Sequence, residues 1–165
     1  MNKILVLGCP CSGKSTLSTK IKELTNYPLY HMDILFWREN WTHVSEKELM
    51  IELEKIVKQD KWIIDGHYSK TLEYRFQKCD MVIILDIPLK TCLNSEKKRR
   101  GKKRNDLPSY LMESYDPEFI QYIKDFRKNN MPQLKELIKK YEDKKVYIFK
   151  SRKSALDFVE KNFVN

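Results

Sequence analysis

The sequence predicts an α/β fold with a mainly parallel sheet and helices on both of its faces. Short apolar runs alternate with helical patterns almost throughout the 165 residues, which is the signature of repeated βαβ units. A glycine-rich turn joins the first apolar run to the first helical pattern. No internal repeat or linker interrupts the alternation, so we expect one domain over residues 1–165.

Five apolar runs are the candidate strands of this sheet. They occupy residues 4–7, 29–32, 62–65, 81–86 and 146–149. A helix is predicted over residues 46–59, because Ser45 and Glu48 have the spacing of a capping box. Its leucines and isoleucine recur at the helical period and predict one buried face.

The carboxyl-terminal half carries further helical patterns. Asp116 and Pro117 suit the N-cap and first position of a helix, and Pro132 is predicted to break or kink it. A separate helix is then expected to carry Leu134 through Tyr141, and a last one spans residues 154–162. Residues 100–115, which precede the first of these helices, are basic and polar, so we expect them to form a mobile loop that projects from the core.

Residues 8–15 match the phosphate-loop pattern G-x-x-x-x-G-K-S/T, in its expected place between a strand and a helix. Backbone N–H groups of such a loop and of the first helical turn bind phosphate oxygens. Lys14 is expected to reach the β- and γ-phosphates, and the Ser15 hydroxyl to ligate Mg²⁺. We therefore predict that ATP and Mg²⁺ bind here. The predicted nucleotide-binding residues are Gly8, Cys9, Pro10, Cys11, Ser12, Gly13, Lys14, Ser15 and Thr16.

Carboxylates follow three of the predicted strands, at the sheet edge where parallel α/β folds bind ligands. Asp33 could orient or deprotonate an acceptor hydroxyl, and its alternative interpretation is a cap for the next segment. Asp65 is the better candidate for holding Mg²⁺, with Asp86 as competitor. No Glu follows either residue and no Asn-Lys-x-Asp motif is present, which argues against motor-type ATPases and regulatory GTPases.

Cationic residues supply candidates for the rest of the site. The net charge is +9, and much of the excess lies in residues 97–104, which indicates anionic ligands such as nucleotides, phosphorylated compounds or nucleic acid. Arg99 and Arg127 are predicted to stabilise the transferring phosphoryl group, with a lid at about residues 100–115 between them. A solvated basic surface is the alternative. Tyr68 and Arg75 are predicted to bind the acceptor, although Arg75 could equally be a surface arginine.

Composition bears on the cellular location of the protein and on the redox state of its cysteines. No apolar stretch approaches membrane-spanning length, and the first residues predict a strand rather than a signal peptide, so we expect a cytoplasmic protein without a membrane partner. Four cysteines lack the spacing of a zinc site, and reduced thiols are expected.

The order of these motifs resembles the adenylate-kinase-like branch of P-loop kinases. A closer resemblance is to the bacterial DNA topology modulation proteins, through residues 31–33, 62–71, 85–88 and 126–134. The resemblance implies a five-stranded parallel sheet with a short substrate-binding insertion and a lid. Ser95 stands where both families commonly carry an arginine near the adenine, and Arg152 lies in a segment that resembles the border of the base.

Two functions follow from these observations. The leading hypothesis is a kinase that transfers the γ-phosphoryl group of ATP to a nucleotide or small-molecule acceptor. The alternative is a DNA-interacting regulatory protein that uses ATP binding or hydrolysis as a switch. The sequence holds no DNA-reading motif, and a basic run alone is non-specific, so we rank the kinase first.

Overall fold

A five-stranded sheet with all strands parallel forms the centre of the computed structural model, which describes residues 1–163. The strands lie in the order β2-β3-β1-β4-β5. Their bounds are β1 Lys3–Gly8, β2 Leu29–His31, β3 Trp62–Asp65, β4 Met81–Leu85 and β5 Lys145–Phe149. The predicted α/β class and all five predicted strands are confirmed.

Seven helices in the described residues cover the sheet. Their bounds are α1 Lys14–Thr25, α2 Met32–Phe36, α3 Glu46–Val57, α4 Ser69–Lys78, α5 Leu89–Arg99, α6 Pro117–Lys140 and α7 Arg152–Phe163. A short 3₁₀ turn, Glu39–Trp41, follows α2. The capping box of α3 is confirmed, since Ser45 Oγ accepts from the Glu48 N–H and the Glu48 carboxylate accepts from the Ser45 N–H.

The sheet buries both of its faces, which is why its central strands are continuous apolar runs. Along β1, Ile4 and Val6 point into one apolar cluster, whereas Leu5 and Leu7 point into the other. Helices α1 and α7 cover the first face, and α3 and α4 cover the second. The alternation follows from the two-residue period of a strand.

One continuous helix, α6, replaces the two helices expected around Pro132. Pro132 removes only one backbone hydrogen bond, at a cost of about 3 kcal/mol in a helix interior. Apolar residues are buried on both sides of it: Phe126 packs into one cluster and Leu134 and Leu137 into the other. The expectation of a break was wrong because this burial outweighs the local defect.

The carboxyl ends of the strands meet at one edge of the sheet. In the parallel register, Val6 and His31 both pair with Asp65, and Gly8 pairs with Leu85. The phosphate loop therefore starts beside the ends of β3 and β4. Among residues 1–163, no helix is long and apolar enough to cross a membrane.

Candidate active site

A cavity of about 1100 Å³ opens at this edge of the sheet. The phosphate loop forms its floor, the residues that follow β2 and β3 form one wall, and α6 and α7 contribute to the other. The chain between α5 and α6, residues 100–116, also lines the cavity, and we call it the lid segment. Ligand pockets commonly measure about 300–1000 Å³, so this cavity has room for a nucleotide and a second small molecule.

The phosphate loop is closely packed against the sheet. Gly8 has a φ of +142°, and a Cβ built on it would lie 2.5 Å from the Leu85 carbonyl oxygen, so only glycine fits this turn. Lys14 Nζ donates to the Cys9 carbonyl across the loop at 2.7 Å. Burial lowers the pKa of Lys14, while Asp65 and Asp33 act in the opposite direction. The ammonium group is thus held over the loop between two carboxylates.

The lid segment reaches the predicted metal ligand. The Ser15 hydroxyl donates to Asp106, a buried carboxylate that the sequence analysis missed. Arg104 pairs with Asp106 at 2.5 Å and with Glu113 at 2.8 Å, and Arg99 pairs with the same Glu113 at 2.6 Å. This chain of ion pairs joins the end of α5 to the phosphate loop. Asp106 was missed because it lies next to a run of cations, and only the cations were considered as candidate residues of the lid.

The lid segment is therefore packed against the site, rather than projecting from it as an excursion. Leu107 is 5% exposed and Leu111 is 7% exposed, so both are anchored in the fold. The basic run itself divides in two. Arg99 and Arg104 line the cavity, whereas Lys97, Lys98, Lys102 and Lys103 are exposed outside it.

A second pair includes Asp65, one of the two predicted metal ligands. His31 Nδ1 and Asp65 Oδ2 are 2.7 Å apart. Burial lowers the pKa of His31, but the hydrogen bond and negative charge of Asp65 outweigh it and leave the pKa raised. His31 is thus placed to donate to the Asp65 carboxylate and to orient it, a role we had not assigned to it.

The oxygen donors here suit Mg²⁺, which binds carboxylates, hydroxyls and substrate phosphates and retains several waters. Ser15 and Asp65 were the predicted ligands, and Asp106 adds a third oxygen donor from the lid segment. Within residues 1–163, no cluster of three or more His, Cys, Asp or Glu side chains forms a metal site of its own. A cation held mainly by nucleotide phosphates is consistent with this arrangement.

The opposite wall of the cavity carries Asp33 in the first turn of α2. Tyr68 donates its hydroxyl to Asp33 Oδ1. Burial raises the pKa of Asp33, despite opposing contributions from Tyr68 and Lys14. Tyr68 has a φ of +40°, in the left-handed region, and the preceding Gly66 approaches Met32 so closely that a Cβ would lie 2.7 Å from it. The residues that place Asp33 are therefore tightly constrained.

Comparisons with known proteins point to kinases. No known protein-family profile matches the chain. Shikimate kinase of Clostridium botulinum (strain Loch Maree / Type A3) is 28% identical over 138 residues, covering 73% of this chain and 77% of that protein. The same enzyme from strain Kyoto / Type A2 matches with the same identity and the same coverage.

Solved structures share the whole fold. Shikimate kinase from Acinetobacter baumannii in complex with shikimate superposes with a TM-score of 0.62 at 15% identity, covering 98% of this chain and 90% of that one. Deoxyadenosine kinase from M. mycoides with bound dATP gives 0.53 at 16% identity, covering 98% of both chains. The fold is the P-loop kinase fold that these structures share. The relatives agree with the prediction of a phosphotransferase and do not favour the DNA-interacting alternative.

In this P-loop kinase fold, Arg75 does not reach the cavity. It is 0% exposed, and its guanidinium donates to the carbonyls of Gly66, His67 and Tyr68. The prediction that Arg75 binds the acceptor, and its surface alternative, are therefore both replaced by a structural role. Arg75 holds the loop that carries Tyr68.

Arg127 also lies outside this cavity. It is on α6, its side chain is 69% exposed, and it pairs with Asp86 at 2.6 Å. Asp86 is itself absent from the lining of the main cavity, so it does not compete with Asp65 for the metal position. The structure thus brings together Lys14, Asp33, Asp65 and Arg99, and separates Arg127 from them.

Arg152 lies against the phosphate loop from α7. Its guanidinium donates to the carbonyls of Ser12 at 2.9 Å and Cys11 at 2.7 Å, and to the Ser95 hydroxyl at 2.8 Å. A guanidinium from α7 therefore lies beside the position where the resemblance placed an arginine on α5. The cavity side of this contact is the border that we expect a nucleotide base to touch.

Proposed function

We propose that the protein is an ATP-dependent kinase that phosphorylates a hydroxyl of a small molecule or nucleotide held beside Asp33. The observation that supports it is one cavity with Lys14 and Ser15 on its floor and a buried, Tyr68-bound carboxylate on its wall. A phosphate-binding loop alone would serve a switch or a motor. A carboxylate with a raised pKa across the cavity suits proton removal from an acceptor.

In the proposed reaction, the acceptor oxygen attacks the γ-phosphorus while the bond to the β,γ-bridging oxygen breaks and ADP leaves. Asp33 accepts the proton of the acceptor hydroxyl. Lys14 and Arg99 interact with the phosphate oxygens on which negative charge develops. Gly8 through Thr16 bind the triphosphate, and Arg152 borders the base. Arg127 is left out of this proposal because it is paired with Asp86 outside the cavity.

The proposed Mg²⁺ ligands are Ser15 and, through water, Asp65. When bound, the cation neutralises the triphosphate and orients its γ-phosphoryl group. His31 keeps Asp65 oriented, because its Nδ1–H is directed at that carboxylate. Asp106 would lose its hydrogen bond from Ser15 when that hydroxyl holds the cation, and its carboxylate would add a negative charge beside the cation.

The test is ATP turnover against a panel of nucleosides, nucleotides and hydroxylated metabolites. We expect one acceptor class to stimulate ADP formation, and Lys14→Ala to abolish it. Lys22→Ala is the matched control, since Lys22 is an exposed lysine of the same helix. Stimulation by duplex DNA with no phosphorylated product would contradict the kinase and favour the regulatory alternative. The resemblance to topology modulation proteins rests on the quoted segments alone.

A further inference from the structure

We infer that the acceptor is an uncharged compound with a planar ring and a free hydroxyl, and that a nucleoside fits this description. The inference rests on the proposed kinase function and narrows the acceptor class. It excludes nucleoside monophosphates and carboxylate-bearing polyols. Three features of the cavity support it: the balance of charge, the aromatic wall beside Asp33, and a buried histidine without a hydrogen-bond partner.

The first feature is that the cavity is not basic, although the protein carries a net charge of +9. Among the described lining residues, four cations face five carboxylates. The cations are Lys14, Arg99, Arg104 and Arg152, and the carboxylates are Asp33, Asp65, Asp106, Glu113 and Asp116. A nucleoside triphosphate with one Mg²⁺ adds further negative charge.

Each of these cations already has a partner. Arg99 and Arg104 are bridged by Glu113, and Arg104 also pairs with Asp106. Arg152 is bonded to phosphate-loop carbonyls, and Lys14 lies where the triphosphate binds. No lining cation in residues 1–163 is left for a second anion. Burying an unpaired phosphate or carboxylate beside Asp33 is unfavourable, because no cation offsets the loss of its hydration.

The second feature is the aromatic wall around Asp33. Trp37 and Trp41 line the cavity with their rings 5.4 Å apart at 81°, and Tyr68 and Tyr122 line it from two other elements. Trp41 is 40% exposed and Tyr122 is 44% exposed. Large aromatic side chains that remain accessible in a cavity provide flat surfaces on which a ring can stack. Loss of the stacking of one base on such a surface weakens binding by about tenfold or more.

The third feature is His67, which is 4% exposed and lies in the cavity lining. Neither ring nitrogen has a hydrogen-bond partner in the described residues. An imidazole ring offers two nitrogens that can form hydrogen bonds. The polar groups of an uncharged ring compound can pair with them.

The experiment compares compounds that differ in one property. Each common ribo- and deoxyribonucleoside is assayed beside its 5′-monophosphate, which adds charge, and beside ribose, which lacks the base. Shikimate supplies a carboxylate with ring hydroxyls. We expect at least one nucleoside to exceed its monophosphate and shikimate in kcat/KM by about 100-fold or more. It should exceed ribose by about tenfold or more.

Binding gives a readout that is independent of turnover. The chain has three tryptophans, of which Trp37 and Trp41 line the cavity and Trp62 is fully buried in β3. With a non-hydrolysable ATP analogue present, the nucleoside should quench tryptophan fluorescence, and the Trp41→Leu variant should show a Kd about tenfold weaker. Tyr74→Leu is the control, because Tyr74 is an aromatic residue of α4 outside this cavity lining.

The outcomes separate this inference from the proposed function. Phosphorylation of anionic acceptors in preference to every nucleoside would overturn the inference and leave the kinase in place. Absence of product with all compounds would count against the kinase. In that case, absence of nucleoside binding by fluorescence would overturn the inference as well, whereas binding lost in Trp41→Leu would support it.

Discussion

At the scale of single residues, Asp33 carries the proposed chemistry and also opposes stability. Its pKa is raised by burial, so the folded state holds the proton more tightly than the unfolded chain does. Stability therefore falls as the pH rises through the range between the two pKa values, and ionised Asp33 is unfavourable at neutral pH. The same ionised form is the one that can accept a proton from an acceptor.

We predict that Asp33→Asn lowers kcat by about 10²- to 10⁴-fold while raising the melting temperature at pH 7. Wild-type activity should fall as the pH drops through the raised pKa of Asp33. Steady-state kinetics and thermal unfolding measure both effects, with the exposed Asp60→Asn as control. An Asp33→Asn variant with full activity would remove this residue from the mechanism.

His67 gives a second prediction, on stability against pH. Its pKa is lowered to about 3, whereas an unfolded histidine titrates near its ordinary value. The unfolded chain thus binds one more proton between these values, and stability is lost as the pH falls through this window. The loss should approach about 1.4 kcal/mol per pH unit.

Replacing His67 with Asn should remove this contribution to the pH dependence. Urea unfolding at several pH values between 4 and 7 measures it, and the difference between wild type and His67→Asn isolates one residue. The exposed His43→Asn is the matched control. Equal slopes in wild type and His67→Asn would show that His67 has the same pKa in the folded and unfolded states, and would contradict the prediction.

Arg75 leads to a third prediction, which separates its structural role from acceptor binding. We expect Arg75→Met to destabilise the fold by about 3 kcal/mol or more, because three loop carbonyls lose their buried donor. Lys70→Met on the same helix, an exposed cation, should have little effect. Denaturant unfolding measures both. An Arg75 variant of normal stability with a raised acceptor KM would restore the original prediction.

At the scale of elements, the lid segment is held by the bridge that Glu113 makes between Arg99 and Arg104. These side chains are largely buried, so the bridge is less screened than a surface pair. We predict that Glu113→Gln increases amide hydrogen exchange in residues 100–116 by about tenfold, with the sheet unchanged. Exchange followed by mass spectrometry measures this, with the exposed Glu118→Gln as control. Unchanged exchange would mean that apolar anchors alone hold the segment.

The elements also show why local sequence patterns succeed in some places and fail in others. The α3 helix was predictable because its capping box and apolar face depend only on neighbours in the chain. The continuity of α6 through Pro132 was not, because it depends on burial against two separate apolar clusters. The packing of residues 100–116 was missed for the same reason. The ion pairs of this segment form only in the folded chain, where Arg104 contacts both Asp106 and Glu113.

The predicted site divides in a similar way. Residues 8–15 and Asp65 are set by strand ends, and the sequence places them where the structure does. Long cationic side chains are different, since their reach allows several environments. The Arg75 side chain points inward to loop carbonyls, and the Arg127 side chain pairs with Asp86 outside the cavity. No local sequence pattern distinguishes either arginine from one that binds phosphate.

At the scale of the whole molecule, the excess positive charge lies outside the cavity. The net charge of +9 is carried outside a lining in which acids outnumber bases. We predict that this field accelerates the encounter with an anionic nucleotide, so that the association rate falls several-fold between about 0.02 and 0.3 M salt. The dissociation rate should change little. Stopped-flow fluorescence with a labelled ATP analogue measures both, and a salt-independent association rate would contradict the prediction.

Two contacts of the lid segment link the two halves of the cavity thermodynamically. The segment touches the donor half of the cavity through Asp106 and Ser15, and the acceptor half through the Tyr110 hydroxyl, which lies 3.5 Å from the Trp37 carbonyl oxygen. Any ligand that favours the packed arrangement in one half favours it in the other. The affinities of the two substrates are then linked, and by reciprocity each must change the other by the same factor.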